Sequence, residues 1–173
     1  DIGNTSAKIA VFSQGEMVDI VRCSNQSLEG LDELCQQYPI QKGIWASVIS
    51  ISEEIQQQLQ QLPFPMTEFT YQTPIPIRNL YKTPQTLGVD RLAAVIAAYT
   101  LKPHHPALVI DAGTCITYDF IDEFGQYQGG NISPGMEMRF KALHEFTSKL
   151  PQIQASGETP YYGNSTETAI RSG

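Results

Sequence analysis

The stretch Asp111-Ala112-Gly113-Thr114, running into Cys115-Ile116-Thr117-Tyr118-Asp119-Phe120-Ile121, decides the fold because the chain opens on the same plan. At the start, Asp1-Ile2-Gly3-Asn4-Thr5 leads into Ala7-Lys8-Ile9-Ala10-Val11-Phe12. A turn at Ser13-Gln14-Gly15-Glu16 follows, then Met17-Val18-Asp19-Ile20-Val21. The later copy turns at Glu123-Phe124-Gly125-Gln126 and returns through Tyr127-Gln128-Gly129-Gly130. Each copy reads as an acidic Gly-Thr turn, a strand, a glycine turn and a return strand, an antiparallel meander. Repetition at this scale predicts a duplicated domain.

Outward from these copies the chain alternates strand and helix patterns. Ala107-Leu108-Val109-Ile110 reads as the apolar strand that ends at Asp111, and Leu87 to Tyr99 as a helix stopped by Lys102-Pro103-His104-His105-Pro106. Ser27 to Tyr38 reads as a helix, with Leu28, Leu31, Leu34 and Cys35 on one face. Gly43 to Val48 reads as a buried strand, and Ser52 as the cap of a helix over Glu53 to Leu62. The Pro-rich run Pro63 to Pro76 reads as strand and loop. These elements predict an α/β protein with two units, residues 1–106 and 107–173. The chain opens like the exit of a strand and stops within a helical pattern, so a fragment of a longer protein is expected.

Composition narrows the function. Hydrophobic residues make up 41% of 173, enough for a packed core. The net charge of −7 opposes non-specific binding to nucleic acid or anionic lipid. Three cysteines, with no metal-ligand spacing among them, read as reduced thiols in a cytoplasmic protein. No signal peptide and no apolar run of about 18 residues is visible. Met136 and Met138 read as packing residues, and His104-His105 as a solvated linker.

The chemistry lies in the two turns. Asp closes a strand with its carboxylate free, Gly lets the backbone approach a ligand, and Thr and Asn add polar donors. The turn's N–H groups can form a nest for an anion. A carboxylate beside such a nest suits a hydrated Mg²⁺ bridging phosphate oxygens. One copy is an ordinary turn. Two copies facing each other make a clamp for a triphosphate. Asp90 and Arg91 open the helix after Gly88. A helix N-terminus stabilises an acid there whatever its role, and it also holds charged a carboxylate that orients and deprotonates an alcohol. Arg91 is either a surface residue or a fork for a substrate carboxylate.

Asp1 to Lys8 (D-I-G-N-T-S-A-K) resembles the first phosphate motif of the acetate kinase, sugar kinase, Hsp70 and actin superfamily, and Asp111 to Thr114 resembles its second. Within it, Leu87-Gly88-Val89-Asp90-Arg91 and Tyr127 to Gly135 (Y-Q-G-G-N-I-S-P-G) resemble signatures of the type III pantothenate kinases. Ala142-Leu143, Lys149-Leu150-Pro151 and Gly163-Asn164-Ser165-Thr166 fit the same family.

The resemblance implies duplicated ribonuclease H-like domains of the actin-like ATPase type, mixed sheets with flanking helices. It implies ATP-dependent phosphorylation of pantothenate, the first step of coenzyme A biosynthesis. Asp90 is then the catalytic base, and Tyr81, Gly88, Val89, Asp90, Arg91 and Thr166 contact pantothenate. Asp1, Ile2, Gly3, Asn4, Thr5, Ser6, Ala7, Lys8 and Thr114 contact ATP. Asp111 helps hold a monovalent cation, K⁺ or NH₄⁺, and Asp1 is associated with Mg²⁺. A homodimer with the pantothenate pocket near its interface is expected, with no nucleic acid or membrane partner. The alternative is a catalytically silent member acting as an accessory transcriptional regulator.

Overall fold

All 173 residues are described by a computed structural model. The first meander forms where alternation predicts it, with β1 (Ala7–Ser13) antiparallel to β2 (Glu16–Cys23). Gln14 and Gly15 turn the chain at φ 52° and 87°, the two-residue geometry that matches strand twist. Ile2 pairs antiparallel with Ala7 and parallel with Ser47. Its N–H donates to Ala46 at 2.8 Å, and its carbonyl accepts from Val48 at 3.2 Å. This single residue joins the hairpin to a parallel pair, β3 (Gly43–Trp45) and β4 (Met66–Glu68).

Two helices cover these strands. The first, α1 (Leu31–Gln37), is shorter than the predicted span from Ser27, because Leu28 and Gly30 adopt φ 40° and 88°. That left-handed backbone cannot continue an α-helix. Leu28 is nonetheless buried. In α2 (Glu53–Gln60) Ser52 caps as predicted, its Oγ accepting from the Ile55 N–H at 3.3 Å. Ile2, Ala7, Leu28, Leu31, Ile55 and Leu59 close the first core.

The second sheet contains β5 (Arg78–Asn79), β6 (Ala107–Ala112), β7 (Cys115–Ile121) and β8 (Gln126–Pro134) in the order β5-β8-β7-β6. β5 runs parallel to β8, and the other neighbours are antiparallel. Helix α3 (Val89–Leu101) lays Leu92 and Val95 against Ile121 and Tyr127, with Ile77 and Leu87 alongside. Residues 77 to 101, which a division at Pro106 assigns to the first unit, therefore pack in the second core. The two cores divide just after β4, where Met66 packs with the first and Phe69 with the second.

Helices α4 (Met136–Glu145) and α5 (Thr166–Ser172) bury one residue each, Phe140 and Ile170. Met136 and Met138 do not pack; both stand exposed on the first turn of α4. The three cysteines are free thiols, and no helix is long and apolar enough to cross a membrane.

Candidate active site

The two acidic turns face each other. Thr5 and Thr114 lie 109 positions apart, yet their hydroxyls are hydrogen-bonded at 2.9 Å. Each turn is held by hydrogen bonds of its own. In the first, the Gly3 N–H donates to Ser6 at 3.0 Å, and Asn25 Nδ2 donates to the Gly3 and Asn4 carbonyls at 3.0 and 2.9 Å. In the second, the Gly113 N–H donates to Cys115 at 2.9 Å, and Gly135 N–H to Thr114 at 3.0 Å. With these carbonyls tied, the N–H groups of Asn4, Thr5, Ser6 and Thr114 donate to no protein acceptor. Unpaired N–H groups on converging turns form an anion-binding concavity.

Gly135 brings a helix end to the same place. A Cβ there would sit 2.2 Å from the Gly113 carbonyl oxygen and 2.5 Å from that of Thr114, so only glycine permits the approach. α4 starts at this glycine with no side-chain cap. Its first N–H groups, the positive end of the helix, therefore adjoin the second turn.

Within the predicted nucleotide loop, Ile2 and Ala7 are core residues that offer a ligand only backbone. Asp1, Asn4, Thr5 and Lys8 are exposed, and Gly3 and Ser6 half-buried. Asp111 is exposed where β6 ends, paired in register with Thr117. No three His, Cys, Asp or Glu residues gather as a metal cage. Single exposed carboxylates beside an anion nest do fit hydrated Mg²⁺, which takes one or two carboxylates plus substrate phosphates.

The predicted acceptor segment shares a groove with the segment that pairs with Ile2. A depression of about 390 Å³ is lined by Ser47, Val48, Ile49 and Ser50 on one wall and Gln85 to Val89 on the other. Ser47 is also bonded to the Ile2 carbonyl, at 3.3 Å. The groove thus runs from the segment bridged to Ile2 to the start of α3. Asp90 is exposed there, one Oδ accepting from the Arg91 N–H at 2.8 Å. A side chain at Gly88 would collide with that oxygen at 2.5 Å, so the glycine leaves room for the carboxylate to fold over its helix start.

Arg91 is not the surface residue considered from sequence. It is 6% exposed, and its Nε and Nη2 bond Asp119, the latter at 2.6 Å. Its guanidinium stacks over Tyr81 at 5.7 Å, and Tyr81 stacks on Tyr127 with centroids 6.1 Å apart. The fork is thus closed on a carboxylate of its own chain. The bond to Asp119 holds the Arg91 pKa far above its ordinary value. Thr166 opens α5, exposed, with Ser165 rather than Thr166 acting as the cap. No hydrogen bond or ion pair links α5 to α3.

Sequence reading missed Asn25 and Asp119. The Tyr127-Gln128-Gly129-Gly130 motif held a trace of Asp119. Gly130 pairs with it, and a Cβ at 130 would lie 2.5 Å from its Oδ1. Nothing in the sequence around Asn25 marks its reach of over twenty positions.

The family model for type III pantothenate kinases matches residues 1–173. The chain belongs to the type III pantothenate kinase family. The sequence expectation of this family therefore holds. Type III pantothenate kinases of Phocaeicola vulgatus and Bacteroides fragilis are 63% and 54% identical over all of this chain, which spans 72% and 71% of their lengths. That of Azobacteroides pseudotrichonymphae is 41% identical over the same span. A solved structure described as a Baf family transcriptional activator from Campylobacter jejuni superposes with a TM-score of 0.55 at 20% identity. The match covers 98% of this chain and 69% of that one. This second likeness concerns the fold alone.

Proposed function

We propose that the chain transfers the γ-phosphoryl group of ATP to the primary hydroxyl of pantothenate, as the first step towards coenzyme A. The observation that carries the reading is the meeting of the two acidic turns at Thr5 and Thr114, with unpaired N–H groups on both. Phosphoryl transfer asks little covalent chemistry of a protein and depends on alignment and charge. The N–H groups of Asn4, Thr5, Ser6 and Thr114, with the start of α4, would bind the phosphates from both sides. Asp1 and Asp111 would hold Mg²⁺ and a monovalent cation respectively. Held there, the cations would supply positive charge for the charge developing on the transferred group.

Asp90 directly follows Val89, which lines the groove, and would accept the proton of the attacking hydroxyl. Its carboxylate is oriented by the Arg91 N–H and is exposed to a ligand. Tyr81, Gly88, Val89, Arg91 and Thr166 complete the proposed pantothenate contacts, Arg91 through whatever its bond to Asp119 leaves open. A two-fold dimer with the pocket near its interface would give Thr166 a route to the acceptor that contacts within one chain do not provide. We read the architecture as two ribonuclease H-like units, each presenting a strand, an acidic turn and a hairpin. A cytoplasmic location accords with this metabolic role.

The test is ATP-dependent formation of phosphopantothenate by the full-length protein and by Asp90→Asn. Asn keeps the shape and the bond from the Arg91 N–H but cannot take a proton. The expected loss in kcat is about 100-fold or more, the usual share of a general base. Equal rates would remove Asp90 from this role.

A further inference from the structure

Asp119 is 1% exposed and lies in the middle of β7, with no part in the chemistry described above. Its carboxylate takes three donors: Arg91 Nε, Arg91 Nη2 at 2.6 Å, and the Tyr127 hydroxyl, also at 2.6 Å. We propose that Asp119 is a positioning residue that, through Arg91, fixes Asp90 relative to the nucleotide turns. The proposal rests on the reading of Asp90 as the base.

A continuous physical path links the second turn to Asp90. β7 begins at Cys115, directly after Thr114, and reaches Asp119 five residues on from the turn. A strand rises roughly 3.3 Å per residue, so one stiff element spans from the phosphate turn to the ion pair. At the pair, the guanidinium is clamped in a fork geometry that fixes its plane as well as its distance. Tyr81 covers its face. Arg91 is the residue whose N–H orients the Asp90 carboxylate at 2.8 Å. The glycine pair opposite is shaped for this arrangement. Gly130 leaves space for the Asp119 carboxylate, while Gly129, at φ 107°, has the Tyr81 ring 3.5 Å from where its Cβ would be. The acceptor segment is thus tied to the second turn by a charge pair, whereas other contacts between α3 and the sheet are apolar and tolerate sliding. Small displacements of a reacting group cost heavily, about 100-fold for 1 Å.

The experiment compares Asp119→Asn with the parent in the full-length protein, using steady-state turnover of pantothenate, equilibrium ATP binding, and amide hydrogen exchange. The expected result is a fall in kcat of about 30-fold or more, with the ATP Kd moved less than about twofold. Exchange should quicken over residues 87–92 and stay unchanged over 111–116. A kcat within about threefold of the parent overturns the proposal. So does loss of ATP binding in step with kcat and faster exchange in both segments, which marks general loosening. Should Asp119→Asn fail to fold, Tyr127→Phe removes one donor to the same carboxylate and keeps the charge pair. It should show the same segment pattern with a kcat loss of about threefold to tenfold, and unchanged kcat and exchange would overturn the idea. If the parent does not phosphorylate pantothenate, the functional reading fails, and the exchange pattern alone still decides whether Asp119 holds the start of α3.

Discussion

Tyr127 and Asp119 carry opposite electrostatic demands at one buried spot. Burial, and then the bond to Asp119, push the Tyr127 phenol well above its ordinary value of 10.0. The fold therefore favours the protonated phenol. The stability this gives is complete below that ordinary value and is lost as pH rises beyond it, because the unfolded chain then releases a proton that the folded one keeps. Tyr127→Phe should accordingly flatten the alkaline fall in stability. At neutral pH it should cost about 2 kcal/mol, the worth of a hydrogen bond to a charged acceptor. Urea denaturation across neutral and alkaline pH measures both. An unchanged alkaline limb would mean that the phenol titrates as it does in the unfolded chain. The Arg91–Asp119 pair itself is a poor guide to net stability, since desolvation offsets its attraction. Its worth lies in geometry, because breaking one partner strands a charge in a site with no buried polar atom left unsatisfied.

At the scale of elements, α4 owes its place to one residue. Gly135→Ala would drive a Cβ into two backbone oxygens, which cannot swing aside as a side chain can. The expected cost is about 1–3 kcal/mol, with weaker ATP binding as the second turn shifts. Gly113→Ala is the informative contrast, because its Cβ would meet only the Cys115 carbonyl oxygen at 4.0 Å. That variant should melt within a few degrees of the parent, and thermal melting of the pair makes the check. Equal melting of both would show that α4 does not need its close approach. The same elements show what sequence can and cannot announce. Period-2 alternation and glycine turns gave both meanders, and Ser52 gave the start of α2, because these signals are local. The late start of α1 was hidden, since Leu28 at positive φ keeps its apolar side chain buried while lying ahead of the helix. The partner of α3 was hidden too. An apolar helix face does not say which of two sheets it covers, and α3 covers the later one. Arg91 read as a surface residue or a fork for a substrate carboxylate for the same reason, because its partner lies 28 positions away on another element.

For the whole molecule, the residues around two hydrophobic cores are brought together at the Thr5–Thr114 contact and along the groove lined by Ser47 to Ser50 and Gln85 to Val89. A hydroxyl pair is a weak tie, so a ligand held by both turns would couple them more firmly. ATP at about 100 times its Kd would stabilise the folded state by about 2.7 kcal/mol. If the phosphates lie between the turns, that stabilisation is shared. Amide exchange should slow at residues 3–6 and at 113–115 together, and thermal unfolding should sharpen towards one transition at higher temperature. Protection confined to one turn would place the nucleotide on that turn alone and remove the clamp. Thr5→Val separates the two contributions to closure. It deletes the direct tie yet leaves the first turn's N–H groups in place. ATP should therefore still protect both segments, with affinity lowered by no more than about tenfold, the reach of one neutral hydrogen bond. The two turns would then be held together chiefly by the nucleotide between them, which would keep a reacting phosphoryl group in register with Asp90.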